Sequence, residues 1–213
     1  MQFSRREFLT TTGVGGLAAT AGCVGGLLSG EQSAEATAAT VGADVLAQTS
    51  YEHLGTDPQT LTHTFEIEGQ EQTVTLTNYL STYQKLVSLP GIGKQPAATF
   101  VALASPTVEV FGQSLNPLGE LKKEALAKRA QQTYGTMRIE EHLGNQQVQA
   151  LGAARELARF AGVATLAGVD FDVRLELGTA RHAGDVVVLF GGYPADLQRE
   201  AENVLALVQG ISH

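Results

Sequence analysis

The sequence predicts an α+β domain over residues 41–213, a mostly antiparallel sheet packed by an internal helix and a C-terminal amphipathic helix. Three observations carry that expectation. Short runs in which apolar and polar residues alternate recur along the chain, as half-buried strands require. One run, Val186 to Phe190, is apolar throughout, which suits a central strand covered on both faces. The segment from about Ala195 to Gln209 instead places Leu197, Ala201, Val204 and Val208, with Ile211 just beyond, at helical spacing, an apolar stripe that can lie on a sheet.

The elements follow in order. Val41, Val45 and Leu46 predict a short helix over Val41 to Gln48. Thr64 to Glu68 and Thr73 to Thr77 alternate cleanly, and the glycine-containing join Glu68-Gly69-Gln70-Glu71 makes them a hairpin whose second strand continues through Tyr79 and Tyr83. Ala98 to Ala104 reads as a strand ending at Ser105-Pro106, with alternation resuming at Val108 and Val110. Asn116-Pro117 has the form of a helix start, a capping side chain followed by a residue that needs no N–H donor. Leu118, Leu121, Ala125 and Leu126 would form its apolar stripe, and Glu124 with Lys128 its wet side.

Strands resume over Met137 to His142, Gln147 to Leu151, Glu156 to Leu166 and Val169 to Leu177. In the last, Phe171, Val173, Leu175 and Leu177 alternate with Asp170, Asp172, Arg174 and Glu176, which predicts one buried face and one charged face. Gly184-Asp185 then turns the chain, and Gly191-Gly192-Tyr193-Pro194 breaks the apolar strand ahead of the final helix. No internal repeat is evident. Runs of strands with helices at the ends and between them give the α+β class.

Ahead of this domain the chain reads as an address. Ser4-Arg5-Arg6-Glu7-Phe8-Leu9 matches the twin-arginine export pattern, with Arg5, Arg6, Phe8 and Leu9 as its signal residues. An uncharged, glycine-rich stretch follows and ends at Ala21-Gly22-Cys23. It is shorter than the roughly 20 apolar residues a span needs. Small residues before a cysteine resemble a lipobox, so Cys23 is the expected lipidation site, although Thr20 stands where such boxes carry leucine. Residues 1–22 would be removed, and 23–40, mostly small and polar, would tether lipid to fold. Cys23 is the single cysteine, so no disulfide forms within one chain.

The formal net charge is −8 and becomes one unit more negative once Arg5, Arg6 and Glu7 leave with the signal. An acidic surface with five lysines is a poor partner for nucleic acid. Leu89-Pro90-Gly91-Ile92-Gly93-Lys94 resembles a helix-hairpin-helix phosphate loop, but Pro96 and the strand-like Thr99-Phe100-Val101 favour a plain connection. It also lacks the spacing of a P-loop. The five histidines show no metal-binding spacing; Glu140-Glu141-His142 and His182 with Asp185 come nearest. No metal, cofactor or catalytic residue is expected from the sequence, and no nucleophile elbow is present.

Ser4-Arg5-Arg6, Ala21-Gly22-Cys23, Thr77-Asn78-Tyr79, Ser105 to Gly112, Asn116-Pro117 and Gly191-Gly192-Tyr193-Pro194 together are similar to a family of haloarchaeal lipoproteins of unknown function. The C-terminal strand, glycine break and helix resemble the photosystem II extrinsic-protein and Mog1-type sandwich. The first resemblance implies the twin-arginine export machinery and the membrane as partners. The expected function is a lipid-anchored binding or cell-envelope module at the outer face of the cytoplasmic membrane. The alternatives are a carrier of a small ligand or lipid, and an enzyme whose site is not visible as a linear motif.

Overall fold

The computed structural model describes residues 31–67, 70–110, 113–114, 118, 122–133 and 137–213. The elements are β1 (Glu31–Glu35), β2 (Thr40–Val41), α1 (Ala43–Thr49), β3 (Glu52–Ile67), β4 (Gln70–Leu89), β5 (Gly93–Pro106), β6 (Glu109–Val110) and β7 (Gln113–Ser114). They continue with α2 (Lys123–Thr133), β8 (Met137–Ala150), β9 (Ala153–Leu166), β10 (Val169–His182), β11 (Asp185–Pro194), α3 (Gln198–Gln209) and β12 (Ile211–Ser212).

Two antiparallel meanders meet to make one sheet. β3-β4-β5 forms the first and β8-β9-β10-β11 the second, and β11 pairs antiparallel with β5 to join them. Among the described strands only β1 runs parallel, alongside Thr73 to Thr77 of β4. The second meander is built from a repeated device. Its three hairpins turn at Leu151-Gly152, Ala167-Gly168 and Ala183-Gly184, each pair with positive φ at both residues. That is the type I′ geometry, whose twist matches that of the flanking strands. These glycines stand sixteen residues apart, and the three strands β8, β9 and β10 are each 14 residues long.

Both faces of the sheet centre are covered. On one, α1 and α3 pack over Phe100, Ala102, Val187, Leu189 and Leu157. Contact is close at Gly191, where an added Cβ would stand 2.5 Å from Val204 Cγ1 of α3. Burying Val204, Leu207 and Val208 of that helix contributes roughly 1.5–3 kcal/mol each. On the other face, Leu126 and Ala127 of α2 pack against Ala158, Phe160, Leu175 and Leu177. Val186 to Leu189 are buried on both faces, as their unbroken apolar run requires.

The α+β expectation is corrected. Strands hold 68% of the described residues and helices 17%, so this is a β-rich fold with three short helices on a large mixed sheet. The strands run far beyond the alternating windows that reveal them. Edge strand β3 exposes Leu54 and Leu61, and the start of β8 is mostly exposed, so side-chain pattern is absent there while backbone pairing persists. β11 continues past Gly191 and pairs through Pro194, and α3 follows from Gln198. The tether does not reach residue 40: β1 pairs from Glu31, and Ala36 and Ala39 are buried in the core. The Asn116-Pro117 helix start lies outside the described residues. Of its expected stripe Leu126 is buried but Ala125 is exposed. Pro90-Gly91-Ile92 forms the tip of the β4–β5 hairpin, with Gly91 and Gly93 at positive φ, and no helix flanks it.

Candidate functional site

An apolar groove of about 240 Å³ opens beside the cluster under α2. β10 supplies Phe171, Val173 and Leu175, β9 supplies Ala164 and Leu166, and β11 supplies Phe190 and Gly192. Leu89, Pro96 and Ala97 from the β4–β5 hairpin form its rim, with Met137 of β8 opposite. The alternation of β10 dictates this wall, since its odd-numbered residues all face one side. Gly192 keeps the floor open: a Cβ there would stand 3.4 Å from Leu175 and 3.5 Å from Phe190. Of the three lining residues that carry hydroxyls, Thr99, Thr165 and Tyr193, Thr165 already donates to Asp170 at 2.6 Å and Tyr193 to Glu176 at 2.9 Å. The volume is at the small end for ligand sites and suits a ring or a short chain.

The opposite face holds buried polar groups. Tyr193 donates to Glu176 Oε1 at 2.9 Å, while Glu176 Oε2 is buried without a partner. Burial pushes the Glu176 carboxyl above its ordinary range, against the smaller opposing effects of Tyr193 and Arg159. Burial, and then the Glu176 charge, raise Tyr193 so that it stays protonated. Nearby, Lys85 Nζ sits 2.6 Å from Glu200 Oε1 and lies 5.7 Å over the Tyr51 ring. The Tyr51 hydroxyl is buried beside Glu200; burial first and that carboxylate second hold it in its protonated form.

A third cluster ties the ends of the described chain together. Asp185 Oδ2 accepts from Thr37 N at 2.8 Å and from His213 Nε2 at 3.0 Å, and His213 Nδ1 lies 3.0 Å from His182 Nδ1. With Nε2 of His213 donating, a neutral His213 must accept at Nδ1. That assigns the Nδ1 proton to His182 and leaves its Nε2 as an acceptor.

The expected signal and lipidation residues, Arg5, Arg6, Phe8, Leu9 and Cys23, lie outside the described residues. Glu140-Glu141-His142 is not brought to one point: Glu140 pairs with Arg138 at 2.9 Å, while His142 bonds Asn145 and stacks on Phe160. His182 and Asp185 do come together, through His213, which sequence distance had hidden. Among the described residues no group of three or more His, Cys, Asp or Glu side chains could hold a metal ion. No helix among them is long and apolar enough to cross a membrane.

Sequence reasoning missed Glu176, which alternation assigned to a wet charged face; it is 3% exposed because α3 covers that face. The regular Gly152, Gly168, Gly184 spacing was a readable signal for three hairpins.

No curated protein matches the chain. The family described as Domain of unknown function (DUF6517) matches residues 38–212, which takes in the groove and the buried acids, and His182 and Asp185 of the histidine cluster but not His213. With most of its length matched, the chain belongs to the DUF6517 family.

Proposed function

We propose that the protein is a non-enzymatic ligand-binding module, anchored by a lipid on Cys23 at the outer face of the cytoplasmic membrane. The open apolar groove carries the binding reading, because a folded domain that exposes Phe171, Phe190 and Leu166 around a glycine floor leaves apolar surface wet unless something fills it. The anchor rests on Arg5-Arg6, the uncharged stretch after them and the lone cysteine.

The two parts are related in space. Seven residues, 24–30, separate Cys23 from Glu31, and reach at most about 25 Å. Glu31 pairs with Thr73 near the start of β4, whereas the groove is rimmed by Leu89 at its end. At about 3.3 Å per residue those points are some 50 Å apart. The groove therefore stands away from the anchored end, which favours a small apolar solute met outside the membrane over a lipid drawn from it.

Fractionation of cells expressing the wild type and Cys23→Ser, with mass spectrometry of the membrane-bound protein, tests the anchor. A lipid mass on Cys23 and release of the variant are expected; an unmodified cysteine, or equal membrane retention, refutes it. Mass spectrometry of protein purified under non-denaturing conditions tests the groove: a co-purifying small apolar molecule is expected, and its presence at equal level in a groove-filled Gly192→Leu variant would contradict the assignment.

A further inference from the structure

On the face of the sheet opposite the groove, a cavity of about 330 Å³ lies between β9, β10, β11 and the first turn of α3. Its polar lining is Arg159, Arg174, Glu176, Tyr193 and Gln198. Arg159 stands across from Glu176 in the β9–β10 ladder, and Arg174 across from Tyr193 in the β10–β11 ladder, so all four side chains leave the sheet on one side.

Neither arginine sits in a close ion pair among the described residues, although the Arg159 charge acts on Glu176 across the ladder. In a chain with 22 acidic and 14 basic residues, Arg159 forms no ion pair or hydrogen bond among the described residues. Arg174 has only a 3.4 Å contact from Nη1 to the carbonyl of Val173. The first turn of α3 borders the cavity through Gln198 and Ala201. Beside the arginines sits a group of the opposite need. Glu176 is 3% exposed, one oxygen satisfied by Tyr193 and the other buried with no donor. An unmet acceptor of this kind is costly unless a ligand or water supplies the donor.

We infer that this cavity is a second binding site, for a small α-hydroxy or α-amino carboxylate. The carboxylate meets the guanidinium forks of Arg159 and Arg174, whose planar geometry suits it, and the adjacent hydroxyl or amine donates to Glu176 Oε2. Tyr193 holds the other Glu176 oxygen and so fixes the direction in which Oε2 presents itself. The site lies on the other face of the sheet from the apolar groove, with Leu175 and Tyr193 contributing to both linings.

Calorimetric titration of the purified protein with lactate, alanine, acetate and inorganic phosphate tests the assignment. Lactate or alanine should bind at one saturable site, with acetate, which lacks the donor, weaker by about tenfold. Arg159→Met and Arg174→Met should each weaken that binding roughly 10- to 100-fold. Glu176→Gln should erase the preference for lactate over acetate while leaving acetate affinity in place. Circular dichroism of each variant reports that it is folded. Absence of saturable binding by both lactate and alanine overturns the inference, as does binding that survives both arginine substitutions. Phosphate bound as tightly as lactate, with Glu176→Gln indifferent, would overturn it in favour of a plain anion site.

Discussion

Replacing Lys85 by Met tests how α3 is held to the sheet. Lys85 Nζ lies 2.6 Å from Glu200 Oε1, with side-chain exposures of 18% and 6%, so the pair is largely removed from water. Glu200 Oε2 is buried and has no partner of its own, so Lys85 is the main compensation for that carboxylate. Methionine keeps the length and apolar stem of lysine and deletes the charge. Stranding one member of such a pair costs about 3–5 kcal/mol, whereas replacing both by apolar groups is often neutral or stabilising. For a domain of this size each kcal/mol moves Tm by about 2–4 °C, so Lys85→Met should lower it by roughly 6–20 °C. The double variant Lys85→Met, Glu200→Leu should recover most of that loss. Thermal and urea unfolding of the wild type, both single variants and the double variant complete the cycle. A loss below about 1 kcal/mol for Lys85→Met, or strictly additive single effects, would refute the view that this contact is a coupled, desolvated pair.

Other outcomes follow from the same structure. Gly191→Ala drives a methyl toward Val204 Cγ1 at 2.5 Å and should cost about 1–3 kcal/mol, partly restored by Val204→Ala; an unchanged Tm would show that α3 does not sit where described. Tyr83→Phe removes the hydroxyl that accepts from Val41 N at 2.9 Å in a fully buried setting, and a loss of about 1–3 kcal/mol in urea unfolding is expected, with no loss as the contrary result. Glu176 gives a pH signature. The unfolded carboxyl ionises near 4.5 and the folded one at higher pH, so stability falls as pH rises between those values. Glu176→Gln titrates in neither state, and its stability relative to the wild type should therefore improve as pH rises above 4.5 toward the raised folded value. A difference independent of pH would count against a buried, raised Glu176.

Much of the β structure was readable where side-chain period reports on burial. Val173, Leu175 and Leu177, and Val186 to Leu189, are core positions because the sheet centre is covered, and their patterns say so. The final helix was legible for the same reason, with Val204 and Val208 on its buried stripe. What escaped notice was structure held by backbone pairing alone. Thr56 to Thr62 of β3 and Leu143 to Gln146 of β8 are edge segments, many of whose side chains are exposed, so no hydrophobic period marks them. Counting such residues as loops made the helices weigh more than they do, and tilted the fold class toward α+β. The groove was illegible for another reason, since it arises where Gly192 removes a side chain among large neighbours from three strands. Alternation identifies the buried face but not a gap within it. Glu176 shows the converse, a charged residue whose burial depends on a helix that arrives more than twenty positions later.

The central claim is that the groove around Gly192 takes a small apolar ligand, and titration with an environment-sensitive apolar dye tests it most directly. The protein contains no tryptophan, so the dye signal is free of that background. The wild type should show saturable one-to-one enhancement that short-chain hydrocarbons displace, and Gly192→Leu, whose side chain fills the floor between Leu175 and Phe190, should lose it while unfolding at a similar temperature. Non-saturable enhancement in the wild type, or equal saturable binding by a folded Gly192→Leu variant, would contradict the account.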